Sequence, residues 1–258
     1  MSNWIPEHYL VPEWPAPASV KAAVSTRCGG SSEGGYSSFN LAAHVGDDSA
    51  SVLSNRQQLC AELALSAEPQ WLEQVHGIKV VEAENDDRVR TADGTVTMQR
   101  GLPCAVLTAD CLPILLCDRQ GTQVAAIHAG WRSLAAGIVP RAVARFKAPP
   151  DQIMAWLGPA ISADHFEVGV DVLEAFFDTA GSVTHSDAIA AAIRPGNRPL
   201  HFYADLFQLA RAALSECGVS SVYGGGVCTY NDAERFYSYR RDGDTSGRMA
   251  SLIWLASS

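Results

Sequence analysis

The sequence predicts an α+β (α/β) domain built on a mixed β-sheet with flanking helices. Short apolar runs at 105–108, 114–117 and 123–127 are typical of buried strands. Helical stretches alternate with these strands, but not strictly, which favours a mixed sheet over a purely parallel one. The chain has 258 residues, 47% of them hydrophobic, which suffices for one large core. We therefore expect a single domain over 1–258, with two closely packed halves as the alternative.

The remaining elements are predicted from local pattern and from helix-end signals. Helices are predicted at 51–65, 134–146, 170–177 and 204–216. The last of these is followed by Gly218, a typical helix C-cap. Two further strands are predicted, at 79–83 and at 247–255. A glycine- and serine-rich stretch at 29–38 is predicted to be a loop inside the domain.

Composition excludes several classes of function. A net charge of -9 argues against binding to duplex nucleic acid, which requires a dense basic surface. The first eight residues have neither the basic nor the apolar region of a secretory signal, and no apolar run approaches the roughly 18 residues of a membrane span. Seven cysteines without a Cys-x-x-Cys pair indicate reduced thiols rather than a disulfide framework. We expect a soluble cytoplasmic protein with no nucleic-acid or membrane partner.

Three residues suited to metal binding share one local setting. His76, Cys111 and His128 each lie where a predicted strand meets a turn. Strand ends on one side of a sheet commonly carry the chemistry of α/β proteins, and a glycine beside two of these residues permits close approach to an ion. Two imidazoles and a thiolate suit zinc, and three protein ligands leave a fourth position open, as in catalytic zinc sites.

Spacing alone leaves other interpretations of these residues open. A cysteine in an apolar run is more often a buried small side chain, and a histidine beside glycine is more often a turn residue. A second alternative is a metal-free pair in which Cys111 is the nucleophile and His128 the base. Cys104 and Cys117 flank Cys111 and are predicted to be core residues.

An arginine-rich segment at 236–248 is the second chemical feature. Arginine offers paired donors that fit phosphate or carboxylate, and the neighbouring tyrosines could stack on a base. The arginines concerned are Arg240, Arg241 and Arg248. The alternative is a solvated basic turn paired with nearby aspartates. Arg56 lies inside a predicted helix, where a surface arginine is the more common interpretation.

Long motifs carry a resemblance to a known family. They include STRCGGSSEGGYSSFNLAAHVGDD, WLEQVHG, TADCLPILLCD, AAIHAGWRSLAAGI and VCTYNDAERFYSYRRDGDTSGR. The sequence resembles the laccase-domain family, also called multicopper polyphenol oxidoreductases, of the purine nucleoside phosphorylase or peptidoglycan-editing-factor type. His76, Cys111 and His128 match that family's zinc ligands one by one. Ser133 departs from the glycine more usual there after HAGWR.

The resemblance implies a fold and an activity. The fold would be a sandwich of mixed β-sheets flanked by helices, similar to the catalytic domain of cytotoxic necrotizing factors. The activity would be zinc-dependent phosphorolysis of adenosine, inosine, guanosine and methylthioadenosine to free base and pentose 1-phosphate, with deamination of adenosine. Purine nucleosides and phosphate would be the small-molecule partners, and copper is the alternative metal.

The resemblance also implies site residues. The predicted catalytic residues are His76, Cys111, His128 and Asp110. The predicted substrate or phosphate ligands are Asn40, Arg56, Arg240, Arg241 and Arg248. The general acid or base stays unassigned. The candidates are Asp110, Glu167 and His44, and Asp110 could also orient a ligating histidine.

Three competing functions remain at this stage. A copper polyphenol oxidase of the four-copper type needs more histidines than the seven present, and no His-x-His pair exists. Oxidation would therefore be a side activity at most. A Cys111-dependent hydrolase that edits a cell-wall precursor is the second alternative, and a non-enzymatic binding module is the third.

Overall fold

The structure, a computed structural model, describes residues 7–86 and 88–257. Residues 1–6 lie outside the described residues. They form most of the N-terminal stretch in which the sequence predicts no secretory signal. The strands are β1 Tyr9–Leu10, β2 Val20–Ser25, β3 Leu72–Glu73, β4 Val80–Glu82, β5 Arg90–Thr91, β6 Gly94–Thr97, β7 Cys104–Thr108, β8 Leu112–Asp118, β9 Val124–Ala129, β10 Ile153–Leu157, β11 Glu167–Gly169, β12 Ile193–Pro195, β13 His201–Ala204, β14 Ser221–Gly224 and β15 Met249–Leu255. The helices are α1 Ser49–Glu62, α2 Trp131–Ala135, α3 Ile138–Val143, α4 Val170–Phe177, α5 Val183–Ala191, α6 Leu206–Glu216 and α7 Tyr239–Asp242.

Two large sheets form the framework. One has the strand order β1-β2-β15-β7 and the other β14-β10-β8-β9-β6-β4. The second sheet is mixed, since β8 pairs antiparallel with both β9 and β10, whereas β10 pairs parallel with β14. Two smaller sheets have the orders β11-β13-β12 and β3-β5. The predicted α+β class with mixed sheets is confirmed.

The two large sheets pack face to face with helices outside them. Val106 and Ile253 of the first sheet share one apolar cluster with Leu115 of β8 in the second. Side chains alternate across a strand, so Ile114 and Leu116 of β8 face the opposite side, where α2, α3 and α6 cover the sheet. Every residue of β8 is buried, because both faces of this central strand are covered.

The structure corrects one predicted element. The helix predicted at 134–146 is wrong as a single helix, because Gly137 adopts a left-handed conformation (φ 93°) between α2 and α3. Its first part also begins earlier, at Trp131. The helix predicted at 204–216 begins at Leu206, because the side chain of Asp205 accepts the N–H groups of Phe207 and Gln208.

Several strands escaped the sequence prediction. β2 (VKAAVS) and β10 (IMAWL) are central to their sheets, yet neither run carries a period or a turn signal that separates it from a helix segment. The predicted strands at 105–108, 114–117 and 123–127 are confirmed within one or two residues as β7, β8 and β9. Within the part of the chain that the structure describes, no helix has the length and apolar character needed to cross a bilayer.

Candidate functional site

The strand register brings the three predicted metal ligands to one edge of the second sheet. β8 and β9 run antiparallel with Leu112 opposite Ala129, so Cys111, just before β8, lies beside His128, near the end of β9. His76 comes from the loop after β3 and has a left-handed backbone (φ 57°). The ligand atoms of the three side chains all lie within 4.8 Å of one another. The structure thus forms the group that the sequence predicted.

Gly130 gives this group its space. A Cβ atom on Gly130 would lie 3.0 Å from Sγ of Cys111 and 3.0 Å from Cδ2 of His76. That separation is shorter than ordinary van der Waals contact, so any side chain would push two ligands away. The glycine of the His-Ala-Gly-Trp motif is therefore a steric requirement of the site.

Sequence reasoning missed the buried carboxylate that supports the group. Asp93 is fully buried just before β6, and its Oδ1 lies 2.9 Å from Nδ1 of His128. The same carboxylate accepts the backbone N–H groups of Val75, His76 and Gly77. Because the carboxylate occupies Nδ1 of His128, Nε2 is the nitrogen left to face a metal. The available signal was that Asp93 directly precedes Gly94–Thr97, whose β-branched residues are typical of a strand, and a charge buried there must have partners.

The electrostatics of the site favour the thiolate of Cys111. Burial alone would raise the pKa of Cys111, but the positive charge and hydrogen bond of His128, with those of His76, lower it to about 6. Burial alone would lower the pKa of His128, but the Cys111 thiolate and the Asp93 carboxylate raise it to about 9. The thiolate is the form of cysteine that binds metals.

The donor set fits zinc. With bond lengths of about 2.05 and 2.3 Å at a tetrahedral angle, nitrogen and sulfur ligands of one zinc ion lie about 3.6 Å apart. Nε2 of His76 lies 3.8 Å from Sγ of Cys111. Two imidazole nitrogens and a thiolate, one imidazole held by a carboxylate, form a set typical of a catalytic zinc site.

A cavity of about 420 Å³ opens on this group. That volume is in the range of pockets for small organic ligands. Apolar and aromatic side chains form much of its wall: Leu107, Trp131, Ile161, Phe166, Leu206 and Tyr239. Arg240 and Arg248 also line it, as does His44. The cavity therefore combines the metal-ligand group, two cationic side chains and an apolar wall.

Arg240 and Arg248 keep hydrogen-bonding capacity for a ligand. Nη1 of Arg240 donates to the carbonyl oxygen of His165 at 2.9 Å, and Nη1 of Arg248 donates to that of Gly247 at 2.9 Å. Among the described residues, Nε and Nη2 of both guanidinium groups have no hydrogen-bond partner. Two arginines with spare donors in one cavity suit an anion such as phosphate.

The other predicted substrate ligands do not line this cavity. Nε, Nη1 and Nη2 of Arg241 donate to the carboxylate of Asp242 and to backbone carbonyl oxygens, including that of Thr229. Arg56 donates to the carbonyl oxygen of Leu41 and stacks on Trp71, beside a different pocket. Their contacts indicate structural roles.

Asn40 is also placed away from the cavity wall. It is fully buried, and its Oδ1 accepts the N–H of Arg248 at 2.9 Å. Its Nδ2 donates to the carboxylate of Asp47 at 2.9 Å. Asn40 therefore fixes the backbone of a cavity arginine rather than offering its own amide to a ligand.

Asp110 lines the cavity but does not orient a ligating histidine. Its Oδ1 accepts the hydroxyl of Thr229 at 2.6 Å. Its Oδ2 accepts the hydroxyl of Ser238 at 2.9 Å and the N–H of Arg240 at 2.6 Å. Asp93 takes the orienting position that the sequence suggested for Asp110. Asp110, which directly precedes Cys111, instead binds the arginine-rich segment at 236–248 and holds it beside the site.

The two other candidates for proton transfer differ in position. Glu167 is absent from the cavity lining; its carboxylate accepts the N–H of Asn197 and pairs with Arg198 at 3.2 Å. His44 does line the cavity, and no hydrogen bond of its ring is found among the described residues. Desolvation, with the positive charges of Arg248 and Arg56, lowers the pKa of His44, so the neutral imidazole predominates near pH 7.

Comparisons with known proteins match almost the whole chain. The family model described as multi-copper polyphenol oxidoreductase laccase matches residues 21–256. A protein of Pseudomonas aeruginosa named purine nucleoside phosphorylase is 49% identical over 247 residues, which cover 96% of this chain and 98% of the relative. Purine nucleoside phosphorylase YfiH of Escherichia coli is 48% identical over 247 residues, covering 95% and 98%.

Solved structures agree with this result. A Neisseria meningitidis protein, 48% identical, superposes with a TM-score of 0.90 and covers 97% of this chain and 100% of its own. YlmD of Geobacillus stearothermophilus, 31% identical, gives a TM-score of 0.89 with 97% of each chain covered. The resemblance predicted from the motifs is confirmed, and the chain belongs to the multi-copper polyphenol oxidoreductase laccase family.

Proposed function

We propose that the protein is a zinc-dependent purine nucleoside phosphorylase that acts on adenosine, inosine, guanosine and methylthioadenosine. The observation that carries the proposal is one cavity that joins the His76, Cys111 and His128 group to Arg240 and Arg248. Relatives named purine nucleoside phosphorylase over nearly the full length support it.

Phosphorolysis assigns the cationic side chains to phosphate. An oxygen of phosphate attacks C1′ of the ribose, the bond from C1′ to the purine nitrogen breaks, and the purine leaves with the bonding electron pair. Arg240 and Arg248 would donate from their spare nitrogens to the other phosphate oxygens and hold the nucleophile in place. Their charge would also offset that of phosphate within a partly apolar cavity.

The apolar wall and His44 complete the assignment. Phe166, Trp131 and Tyr239 offer ring surface on which a purine can pack, and they limit the water that would compete with phosphate. The leaving purine requires a proton on a ring nitrogen. We assign this transfer to His44, the candidate that lines the cavity and whose ring has no hydrogen-bond partner among the described residues.

Adenosine deamination is the second activity that we propose for this cavity. A zinc ion bound by His76, Cys111 and His128 would supply an activated water molecule near neutral pH. Deamination replaces the amino group at purine C6 with oxygen from water and releases ammonia. The same apolar wall would hold the purine, while Asp93 would keep His128 in the tautomer that presents Nε2.

The test is product analysis with and without phosphate. Purified protein is incubated with adenosine, and the products are separated by chromatography. Adenine and ribose 1-phosphate that form only with phosphate support phosphorolysis, and inosine supports deamination. If neither product forms in either buffer, the nucleoside proposal is wrong. Metal analysis of the same preparation distinguishes zinc from copper.

A metal-free cysteine hydrolase is the one competitor that a specific observation favours. The lowered pKa of Cys111 and a histidine nitrogen 3.8 Å from its sulfur also suit a nucleophile with its base. A protein that hydrolyses amides without metal, and loses that activity on thiol alkylation, would support the hydrolase. Loss of activity on zinc removal and recovery on zinc addition would support the phosphorylase.

A further inference from the structure

One carboxylate contacts two of the three metal-ligand segments. Oδ1 of Asp93 lies 2.9 Å from Nδ1 of His128 and accepts the N–H of His76 at 2.9 Å. Oδ2 accepts the N–H of Gly77 at 2.6 Å and that of Val75 at 3.2 Å. The main chain adds a further contact, because the carbonyl oxygen of Asp93 accepts the N–H of His128 at 2.7 Å.

The loop that carries His76 is shaped around this carboxylate. Three consecutive backbone N–H groups, from residue 75 to residue 77, point at one anion. Successive N–H groups in such a turn form a concave anion-binding site, which here is filled by a side chain of the same chain. In this turn His76 adopts a left-handed backbone conformation that residues other than glycine rarely adopt. The carboxylate therefore has a direct part in holding His76 in place.

We infer that Asp93 is a positioning residue that sets the geometry of the metal centre by fixing His76 through the backbone and His128 through the imidazole. The inference rests on the metal centre of the proposed function. Asp93 would act on ligand placement in the metal-free protein as well, since its contacts involve no metal. Cys111, the third proposed ligand, directly precedes β8, and among the described residues it has no hydrogen bond with Asp93.

An amide cannot replace this carboxylate. Both oxygens of Asp93 accept hydrogen bonds, Oδ1 from His128 and His76 and Oδ2 from Gly77 and Val75. In Asp93→Asn one oxygen becomes an NH₂ group, which can only donate. In one orientation it opposes the two loop N–H groups, and in the other it opposes Nδ1 of His128. Either way, one ligand segment loses its anchor.

The chain offers a matched control. Asp118 is buried at the opposite end of β8, and it accepts the N–H groups of Thr122 and Gln123 at 2.7 and 3.1 Å. Asp118→Asn makes the same chemical change to a turn that carries no metal ligand. A general effect of removing a buried negative charge should appear in both variants. Loss of backbone anchoring is specific to Asp93, because the amide in Asp118→Asn can keep its oxygen toward both N–H groups and donate to the hydroxyl of Thr122, which can turn.

The experiment measures zinc affinity by competition with a chromophoric chelator, for the native protein and both variants. We expect Asp93→Asn to bind zinc about tenfold to a hundredfold more weakly and Asp118→Asn to bind it as the native protein does. Cobalt(II) substitution supplies a second readout, in which the tetrahedral ligand-field and thiolate bands should change only in Asp93→Asn. Equal zinc affinity and unchanged cobalt spectra in Asp93→Asn would overturn the inference.

Two further outcomes separate this inference from the proposed function. If the native protein binds no zinc, the metal centre itself fails. If Asp93→Asn does not fold, the native zinc protein labelled with ¹⁵N-histidine decides the question. A slowly exchanging proton on Nδ1 of His128 would support the inference, whereas a metal-bound or unprotonated Nδ1 would contradict it.

Discussion

The two sides of the cavity are built in different ways. Cys111 and His128, two of the proposed metal ligands, lie just before β8 and within β9, so the register of the second sheet sets their separation. Arg240 lies on the short helix α7, outside both large sheets, whereas Arg248 directly precedes β15 of the first sheet. The backbone N–H of Arg240 donates to Asp110 and that of Arg248 donates to Asn40, so polar side chains help to fix both segments. The register of one sheet sets the metal side, whereas polar contacts bring a short helix and the start of a strand together on the arginine side.

This difference predicts an all-or-none response on the metal side. In Cys111→Ala the thiolate is lost while β8 and its neighbours remain packed, so we expect loss of zinc and a fall in phosphorolysis of at least about a thousandfold. Metal analysis and single-substrate kinetics measure both effects. Cys217→Ala, at the end of α6, is the control and should retain zinc and activity. An active Cys111→Ala enzyme would contradict the metal-centre proposal.

His44 tests whether the arginine side also carries chemistry. We expect His44→Gln to lower kcat by about a hundredfold, because glutamine keeps a polar group but cannot transfer a proton. Zinc content should stay unchanged, since His44 is not one of the three grouped ligands. The pH profile gives a second readout. His44 must be protonated to donate to the leaving purine, and its pKa is lowered, so the native rate should rise as pH falls through a pKa below the usual range of histidine, and the variant should lack this rise. An unaltered profile would remove His44 from the mechanism.

A third substitution tests the steric requirement on the metal side. In Gly130→Ala the new methyl group would lie 3.0 Å from two ligand side chains, so we expect zinc affinity to fall by about tenfold to a hundredfold. Gly181→Ala is the control, because Gly181 has no left-handed backbone and its Cβ would meet only the movable carboxylate end of Glu216. Chelator competition measures the affinity of both. A native zinc affinity in Gly130→Ala would show that the three ligand side chains can shift to accommodate the added methyl group.

The sequence predicted the metal side better than the arginine side. Cys111 and His128 adjoin apolar runs that are visible as strands, and two neighbouring antiparallel strands necessarily place these residues together. Asp93 escaped prediction because its contact with His128 joins positions 35 residues apart. Local pattern carries no information on that distance. The division of α2 from α3 at Gly137 also depends on a backbone conformation that the helical pattern around it conceals.

The arginines show a second limit. Arg240 and Arg241 are adjacent and chemically identical, yet Arg240 lines the cavity whereas Arg241 binds Asp242 and backbone carbonyl oxygens. Successive residues of a helix point in different directions, so the direction in which α7 begins decides which arginine meets a ligand. That direction follows from the bond of Arg240 N–H to Asp110, which lies 130 residues away. Sequence identifies the segment but not the residue.

Substitution of Arg248 and of Arg241 should therefore have different effects, the first on phosphate binding and the second on stability. We expect Arg248→Ala to raise KM for phosphate about tenfold, as expected for loss of one charge-assisted contact, with zinc content unchanged. Arg241→Ala should instead lower the melting temperature, because five acceptor atoms lose their donor. Its effect on KM should be smaller if the segment keeps its position. Equal KM in Arg248→Ala and the native enzyme would place phosphate elsewhere.

Asp110 joins the two sides, and its substitution should have the smallest effect. In Asp110→Asn the remaining oxygen can still accept the N–H of Arg240 and the hydroxyl of Ser238, while the new amide can donate to Thr229, whose hydroxyl can turn. Asparagine also tolerates the left-handed backbone at this position (φ 89°). We expect KM for phosphate to rise about threefold, since a neutral acceptor holds Arg240 less firmly, with zinc affinity and kcat near native values. A collapse of kcat would instead show that the charge of Asp110 takes part in the reaction, as the sequence first suggested.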